Sequence, residues 1–260
     1  MIYLKTPEEI LLMQEAATLV SRTLGEVAKW VAPGVTTRKL DSIAREFIHD
    51  NGGRPACLGY RGFPGTLCIE VNETIVHGFP SDYALRDGDI VGIDTVVELK
   101  GYHGDSAYTF PVGEVDPKTL QLLHDTKEAL YKGIDEVREG ARVGNISNAI
   151  QTFCERRGYG VVREFTGHGI GRSMHESPEV ANYGRRGIGP VLKPGMCICI
   201  EPMINLGSKN VVVMADGWQT RTKDRKPSAH YEHTVAILTG ETRILTTFDH
   251  IQEALGDRFI

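Results

Sequence analysis

The chain contains one short phrase twice, and each copy ends an apolar run on an acidic residue. Residues 85–94 read L-R-D-G-D-I-V-G-I-D, and residues 192–201 read L-K-P-G-M-C-I-C-I-E. A polar group buried at the end of such a run costs on the order of 2 to 7 kcal/mol unless something pairs with it. The repetition therefore predicts two related strands that present Asp94 and Glu201 to a common partner, and a metal ion would serve both.

A pair of helices is predicted ahead of each copy. Thr6-Pro7-Glu8-Glu9 forms a capping box with proline at the first helical position. Apolar residues then recur at spacings of three and four as far as residue 31, which favours a helix lying on a sheet over the alternative, a coiled coil. Patterns of this kind predict four helices, over 7–31, 37–51, 117–139 and 146–157.

The helix pairs and the doubled phrase share almost the same offset along the chain. A shift of 106 residues superposes Gly34 on Gly140, and a shift of 107 superposes Asp94 on Glu201. Agreement between separate segments favours internal duplication over chance similarity. We therefore predict an α+β fold in one catalytic domain, 1–260, with two pseudo-symmetric halves of about 1–112 and 113–260.

Composition argues against several other classes of protein. The net charge of -5 and pI near 6.0 leave no electrostatic footprint for nucleic acid. The N-terminal residues show no signal-peptide pattern and no stretch of about 18 apolar residues occurs, so we expect a cytoplasmic protein without membrane contact. Five cysteines without a C-x-x-C pair predict reduced thiols that pack as small apolar groups.

Asp94 and Asp105 are expected on one face of a strand pair joined by a tight turn. A turn at Leu99-Lys100 would place the two acids opposite each other, whereas a turn at Lys100-Gly101 would make them diagonal neighbours. Like charges at that separation repel, and a bound divalent ion would remove the conflict. The predicted strands run over about 90–97 and 102–110.

The second half of the chain supplies matching donors. Glu201 ends its apolar run, Glu232 lies on a later strand, and His168 lies in a glycine-rich segment. With Asp94 and Asp105 they make four carboxylates and one imidazole. This mostly hard ligand set suits two divalent ions that share carboxylates.

Longer motifs around these donors resemble a known family. They are Lys5-Thr6-Pro7-Glu8-Glu9-Ile10, Ala56-Cys57-Leu58-Gly59-Tyr60, Val71-Asn72-Glu73 before His77-Gly78, Ile93-Asp94, His103-Gly104-Asp105, Gly167-His168-Gly169-Ile170-Gly171-Arg172, His175-Glu176, Ile200-Glu201-Pro202-Met203-Ile204-Asn205 and Glu232-His233-Thr234. As a set, over nearly the whole chain, they resemble the type I methionine aminopeptidases. The 31 residues from Glu201 to Glu232 are too few for the helical insertion of type II enzymes, so the resemblance is to the compact bacterial form.

The resemblance implies the pita-bread fold shared with prolidase and creatinase, in which a central curved antiparallel sheet is flanked by helices. It also implies a hydrolase that removes the initiator methionine from nascent proteins when the second residue is small and uncharged. Two divalent ions, Co, Mn, Fe or Zn, would be held by Asp94, Asp105, His168, Glu201 and Glu232, with Asp105 and Glu232 bridging. They would activate a water for attack on the peptide carbonyl, and Glu201 would accept its proton.

The same resemblance assigns the residues that would hold the peptide. His77 and His175 would hydrogen-bond the substrate and its tetrahedral intermediate. Sulfur atoms and aromatic edges contact a thioether favourably. The methionine pocket would be lined by Cys57, Tyr60, Phe63, Cys68, Met203 and Trp218, the last on an inserted hairpin. The expected partners are nascent polypeptide N-termini at the ribosome, and the expected assembly is a monomer.

Three positions depart from the family pattern. Met174 and Arg61 stand where Phe and His are common, and both are expected to border the substrate pocket. His230 stands where Gln usually precedes the aromatic-Glu-His run. It could donate a hydrogen bond at the metal site, or it could be an exposed or core residue.

Other functions are consistent with parts of the sequence. The nearest alternative is an Xaa-Pro peptidase with the same fold. A binding module that has lost activity is another, although none of the five metal donors is missing. The chain has no G-x-S-x-G, no G-x-x-x-x-G-K-[ST] and no H-E-x-x-H motif, which argues against serine hydrolases, phosphate-loop proteins and zincins.

Overall fold

Five α-helices form in this protein, whose computed structural model describes residues 1–260. They are α1 (Pro7–Ala28), α2 (Thr37–Asp50), α3 (Pro117–Ile134), α4 (Val143–Glu155) and α5 (Asp249–Leu255). α1 begins where the capping box predicts. The Thr6 hydroxyl accepts a hydrogen bond from the Glu9 amide, while the Glu9 carboxylate accepts one from the Thr6 amide.

The four predicted helices all form, and each ends earlier than predicted. α1 ends at Ala28 rather than at residue 31 because the backbone tightens there, so that the Trp30 and Val31 amides bond carbonyls three residues back. Val31 is nevertheless buried, which explains why the apolar spacing continues beyond the helix. α4 begins at Val143 rather than at residue 146.

Fifteen strands account for most of the remaining chain. They are β1 (Arg54–Pro55), β2 (Cys68–Val71), β3 (Thr74–Val76), β4 (Ile90–Leu99), β5 (Tyr102–Pro111), β6 (Gly160–Val161), β7 (Gly167–Gly169), β8 (Glu176–Val180), β9 (Cys197–Ile200), β10 (Met203–Asn205), β11 (Val211–Val213), β12 (Thr220–Thr222), β13 (Ser228–His230), β14 (His233–Leu238) and β15 (Glu241–Ile244). Two short 3₁₀ helices, Tyr60–Gly62 and Gly256–Arg258, complete the regular elements.

Two larger sheets carry the strands that matter most for function. One has the order β1-β4-β2, with β5 also paired to β4, and the other has the order β15-β14-β9-β7-β8. All pairs within them are antiparallel. α1 packs across β4 and β5, and α3 packs against α4 and against β9, β10 and β13. The largest of four apolar clusters runs through both halves of the chain and joins these layers.

The β4–β5 hairpin decides how the first two acids are arranged. Its turn is Lys100-Gly101, and both residues have positive φ, 53° and 78°, as a tight two-residue hairpin turn requires. Asp105 pairs with Val96, so Asp94 and Asp105 are diagonal neighbours on one face. Of the two predicted registers, the structure has the second.

Hydrogen bonds join β5 to the segment between β13 and β14 and to the start of β14. The Ser106 hydroxyl donates to the Glu232 carbonyl at 2.7 Å, and the Glu232 amide donates to the Ala107 carbonyl at 2.9 Å. The Thr234 hydroxyl donates to the Asp105 carbonyl at 2.8 Å. This junction holds Asp105 and Glu232 beside each other, although they are far apart in sequence.

The element order partly repeats along the chain. Residues 1–112 and 113–260 each open with two helices and continue into antiparallel strands. The predicted hairpin forms from β11 and β12, and β12 also pairs with β3 of the first half. All five cysteines are free and buried, as predicted. None of the helices combines the length and the apolar character needed to span a membrane.

Candidate active site

A cleft of about 600 Å³ is lined by residues from both halves of the chain. The strands β4, β5 and β7, the end of β9 and the link between β13 and β14 each contribute one side chain with a metal-binding group. These five side chains are Asp94, Asp105, His168, Glu201 and Glu232. The fold therefore brings all five predicted donors into one site.

The imidazole of His168 faces two of the acids. Its Nε2 lies 3.7 Å from Asp105 Oδ2 and 3.5 Å from Glu201 Oε1. Its Nδ1 lies 2.9 Å from the Gly169 carbonyl oxygen, so Nδ1 donates and the lone pair of Nε2 faces the acids. Burial lowers the pKa of His168 to about 3, and the ring is therefore neutral, as a metal ligand must be.

The four carboxyl groups lie close together; those of Asp105 and Glu232 are buried, and those of Asp94 and Glu201 are half-buried. Burial is the first cause that raises the pKa of each carboxyl group. The second cause for three of them is the charge of a neighbouring acid. Glu232 raises the pKa of Asp105, Glu201 raises that of Glu232, and Asp105 raises that of Glu201. Asp105 Oδ1 and Glu232 Oε1 have no hydrogen-bond partner. Buried carboxylate oxygens without partners are costly, and a bound cation would satisfy them. The donor set therefore fits a divalent metal site.

Cys199 also lies beside these donors. Its sulfur and ligand atoms of Asp105, His168 and Glu232 all lie within 4.8 Å of one another. Burial, followed by the charge of Glu232, raises the pKa of the Cys199 thiol well above its ordinary value. The thiol is thus protonated near neutral pH in the metal-free protein.

His77 and His175 both line the same cleft. The His175 ring packs edge-on against His168 with centroids 4.4 Å apart, and its Nδ1 lies 3.2 Å from the Tyr60 hydroxyl. His77 packs edge-on against Trp218 and has a φ of 59°, a region that residues other than glycine rarely adopt. Burial lowers the pKa of His77 to about 4 and also lowers that of His175, so both rings are neutral near pH 7.

Aromatic and sulfur-containing side chains line the remaining wall. Five of the six predicted pocket residues are among them, Cys57, Tyr60, Phe63, Cys68 and Trp218. Phe63 packs edge-on against Trp218 with centroids 5.3 Å apart. Met174 and Arg61, the departures predicted to border the pocket, line the cleft as well.

Met203 is not among the side chains that line the cleft, unlike the other five predicted pocket residues. Its side chain in β10 is fully buried and packs with Ile75, Val76 and Val162. Val76 lines the cleft in its place. A motif places the backbone of Met203 near the site, but a side chain on a strand can point to either face of its sheet.

Glu70 is a buried acid behind the cleft, in contact with the cleft residue His230, and no motif pointed to it. Its two carboxylate oxygens lie 3.3 and 3.2 Å from His230 Nδ1, and His230 itself is buried and lines the cleft. Burial raises the pKa of Glu70 to about 7. Burial alone would lower the pKa of His230, but the charge and hydrogen bond of Glu70 raise it. Glu70 interrupts the apolar residues of 67–71, the same signal that singled out Asp94.

A comparison with protein-family models defines the class of this protein. The model of metallopeptidase family M24 matches residues 11–239, a span that includes both halves and all five donors. The chain belongs to metallopeptidase family M24, and the use of a divalent metal by that family agrees with the unpartnered carboxylate oxygens of the cleft.

Within this family, the chain is similar over nearly its full length to methionine aminopeptidases. Methionine aminopeptidase 1 of Bacillus subtilis is 48% identical over 246 residues, and methionine aminopeptidase of Clostridium perfringens is 50% identical over 246 residues. Each match covers 95% of this chain and 99% of the relative. The crystal structure of methionine aminopeptidase from Rickettsia prowazekii has 41% identity and a TM-score of 0.94, covering 95% of this chain and 100% of that one. The predicted α+β pita-bread fold is confirmed.

Proposed function

We propose that this protein removes the N-terminal methionine from newly made polypeptides whose second residue is small and uncharged. One observation carries the proposal: four buried or half-buried carboxyl groups and one neutral imidazole converge in a cleft whose remaining wall is aromatic and sulfur-containing. The acids fit a hydrolytic metal centre, and the apolar wall fits a thioether side chain. The name of the similar full-length relatives agrees with both parts.

The proposed metal centre would hold two divalent ions through Asp94, Asp105, His168, Glu201 and Glu232. When bound, the ions would lower the pKa of a water and polarise the peptide carbonyl. The donors are oxygen atoms and one nitrogen, which accept Co, Mn, Fe or Zn, and availability would decide among these.

Glu201 is proposed to accept the proton of the attacking water. In the metal-free protein its carboxyl pKa is raised, first by burial and then by the charge of Asp105. A proton acceptor is most effective when its pKa lies near the working pH. His77 and His175 are neutral near pH 7, so each can donate one N–H to the peptide or to its tetrahedral intermediate.

The methionine side chain is proposed to pack against the aromatic and sulfur-containing wall. Phe63 and Trp218 are held edge-on to each other, and Cys57 and Cys68 contribute buried sulfur atoms to the same cluster. Contacts of this kind contribute about 0.3 to 1.5 kcal/mol each for a thioether. We further propose that the protein acts as a monomer in the cytoplasm, on nascent chains at the ribosome.

The direct test compares initial rates on short peptides with purified, metal-free protein to which one divalent ion at a time is added. Met-Ala-Ser should be cleaved, Met-Leu-Ser should be cleaved much more slowly, and Xaa-Pro peptides should not be cleaved. Cleavage of the Xaa-Pro peptides alone would refute the proposed substrate. Binding of a divalent ion without any hydrolysis would support a binding module instead.

A further inference from the structure

A carboxylate–imidazole pair lies at the edge of the metal cleft and has no role in the function proposed so far. Glu70 in β2 is 2% exposed and His230 in β13 is 3% exposed. The His230 Nδ1 lies within 3.3 Å of both Glu70 oxygens, so its N–H donates to the carboxylate, and in the neutral ring Nε2 carries the lone pair.

The fold makes room for this pair. Glu70 lies opposite Gly92 in the β2–β4 ladder, and a Cβ at residue 92 would overlap the Glu70 carboxylate. A glycine in the middle of a strand weakens the strand, and it often marks a place where another group approaches closely. Here that group is the Glu70 carboxylate, and His230 is oriented by it.

The second nitrogen of His230 has no partner. Nε2 is buried, makes no hydrogen bond, and lies 3.9 Å from Glu201 Oε2. Most buried polar atoms in proteins have a partner, so an isolated structural ion pair leaves this nitrogen unexplained. One ligand atom each from Glu70, Asp94 and His230 also lie within 4.8 Å of one another.

The 3.9 Å between His230 Nε2 and Glu201 Oε2 is too long for a hydrogen bond, but it fits two atoms that bind the same ion. Two ligand atoms on one ion, each about 2.1 Å from it, are separated by about 3 to 4 Å. His168, a proposed ligand, has its Nε2 at 3.5 and 3.7 Å from the acids it faces. A histidine that ligates through one nitrogen commonly donates through the other to a carboxylate, as His230 does to Glu70.

We propose that His230 Nε2 is a second imidazole ligand of the metal centre, on the side of Asp94 and Glu201, with Glu70 as its positioning residue. The inference rests on the metal site of the proposed function and adds one nitrogen donor to it. A second imidazole makes the donor set softer, which favours Fe, Co and Zn over Mn.

The test counts histidine ligands directly, without measuring hydrolysis. Metal-free protein is loaded with Co²⁺, and solvent-exchangeable, hyperfine-shifted imidazole N–H signals are counted by proton NMR. Wild-type protein should show two such signals, from His168 and His230. His230→Gln should show one, while His124→Gln, which removes an exposed imidazole of α3, should still show two.

Titration calorimetry with Co²⁺ tests the role of Glu70. Glu70→Gln should keep two N–H signals but weaken Co²⁺ binding about 10- to 100-fold, because the imidazole is no longer held by a carboxylate. This variant retains His230, so it keeps the proposal testable if His230→Gln fails to fold. A single signal in wild-type protein, or two signals in folded His230→Gln, would overturn the inference and leave the proposed function intact. Wild-type protein that binds no Co²⁺ would refute the proposed metal centre itself.

Discussion

The close approach of Glu70 to Gly92 gives a quantitative prediction about stability. In Gly92→Ala, the new Cβ would overlap the Glu70 carboxylate and would lie 3.1 Å from Glu70 Cβ. The Glu70 carboxylate is the far end of a flexible side chain, but it is buried and held by His230. Moving it would weaken a charged hydrogen bond. Such a bond is worth about 1.5 to 3 kcal/mol.

The net cost follows from two opposing effects. Overpacking or loss of the bond costs about 1 to 3 kcal/mol, while alanine is better than glycine inside a strand by about 0.5 to 1 kcal/mol. We expect Gly92→Ala to lower the free energy of unfolding by about 1 to 2 kcal/mol in metal-free protein. In a Glu70→Ala background the overlap with the carboxylate disappears, and only the 3.1 Å contact with the Cβ of residue 70 remains. The strand preference for alanine opposes that contact, so the same substitution should change stability by less than about 0.5 kcal/mol.

The assay is urea unfolding of the four proteins of this double-mutant cycle, followed by circular dichroism. Gly104→Ala serves as a control, because its Cβ would meet the α1 backbone at Ala17, and trimming Glu70 cannot relieve that contact. Its cost should be the same with Glu70 or with alanine at residue 70. Equal costs of Gly92→Ala in both backgrounds would refute the packing argument, because Glu70 would then not be the group that needs the glycine.

Three further outcomes follow from the cleft. Glu201→Gln should fold but lose at least about 100-fold in kcat on Met-Ala-Ser, because a proton acceptor and a ligand oxygen are removed together; turnover at the wild-type rate would contradict both roles. Glu232→Gln should stabilise the metal-free protein in urea unfolding, and the gain should grow as pH rises above 4.5, the ordinary pKa of a glutamate. Burial raises the pKa of this carboxyl in the folded state, so ionising it costs stability, whereas an amide never ionises. A gain that shrinks with rising pH would contradict this. Trp218→Ala should raise KM for Met-Ala-Ser about tenfold with a smaller effect on kcat, since it removes an aromatic wall of the side-chain pocket; an unchanged KM would place the methionine elsewhere.

The positions of the acids were predictable because they contradict their local pattern. Asp94 and Glu201 each end an apolar run, and a buried carboxylate needs a reason to be there. The start of α1 was predictable for a similar reason, since its capping box is a local signal, whereas α4 has no side-chain cap and begins before its predicted start. Helix ends were less predictable. Val31 lies beyond the end of α1 but is still buried, so the apolar spacing continues past the point where the helix ends.

Two features needed three-dimensional information. The direction of the Met203 side chain depends on which face of β10 meets the cleft, and a motif does not carry that information. The Glu70–His230 pair joins residues 160 positions apart, so neither residue could identify the other from the sequence. His230 was singled out as a departure, but its meaning emerges only once Glu70 and Gly92 are seen beside it.

The junction between β5 and the link from β13 to β14 has a consequence for the order of events during synthesis. The Asp105 amide bonds the Thr234 hydroxyl, a contact between residues 129 positions apart. The cluster of donors therefore cannot assemble while the last strands are still inside the ribosome, and contacts that span so much chain form late in folding. A growing chain would thus have no complete site with which to capture metal, and stoichiometric metal uptake would report that synthesis and folding are both complete.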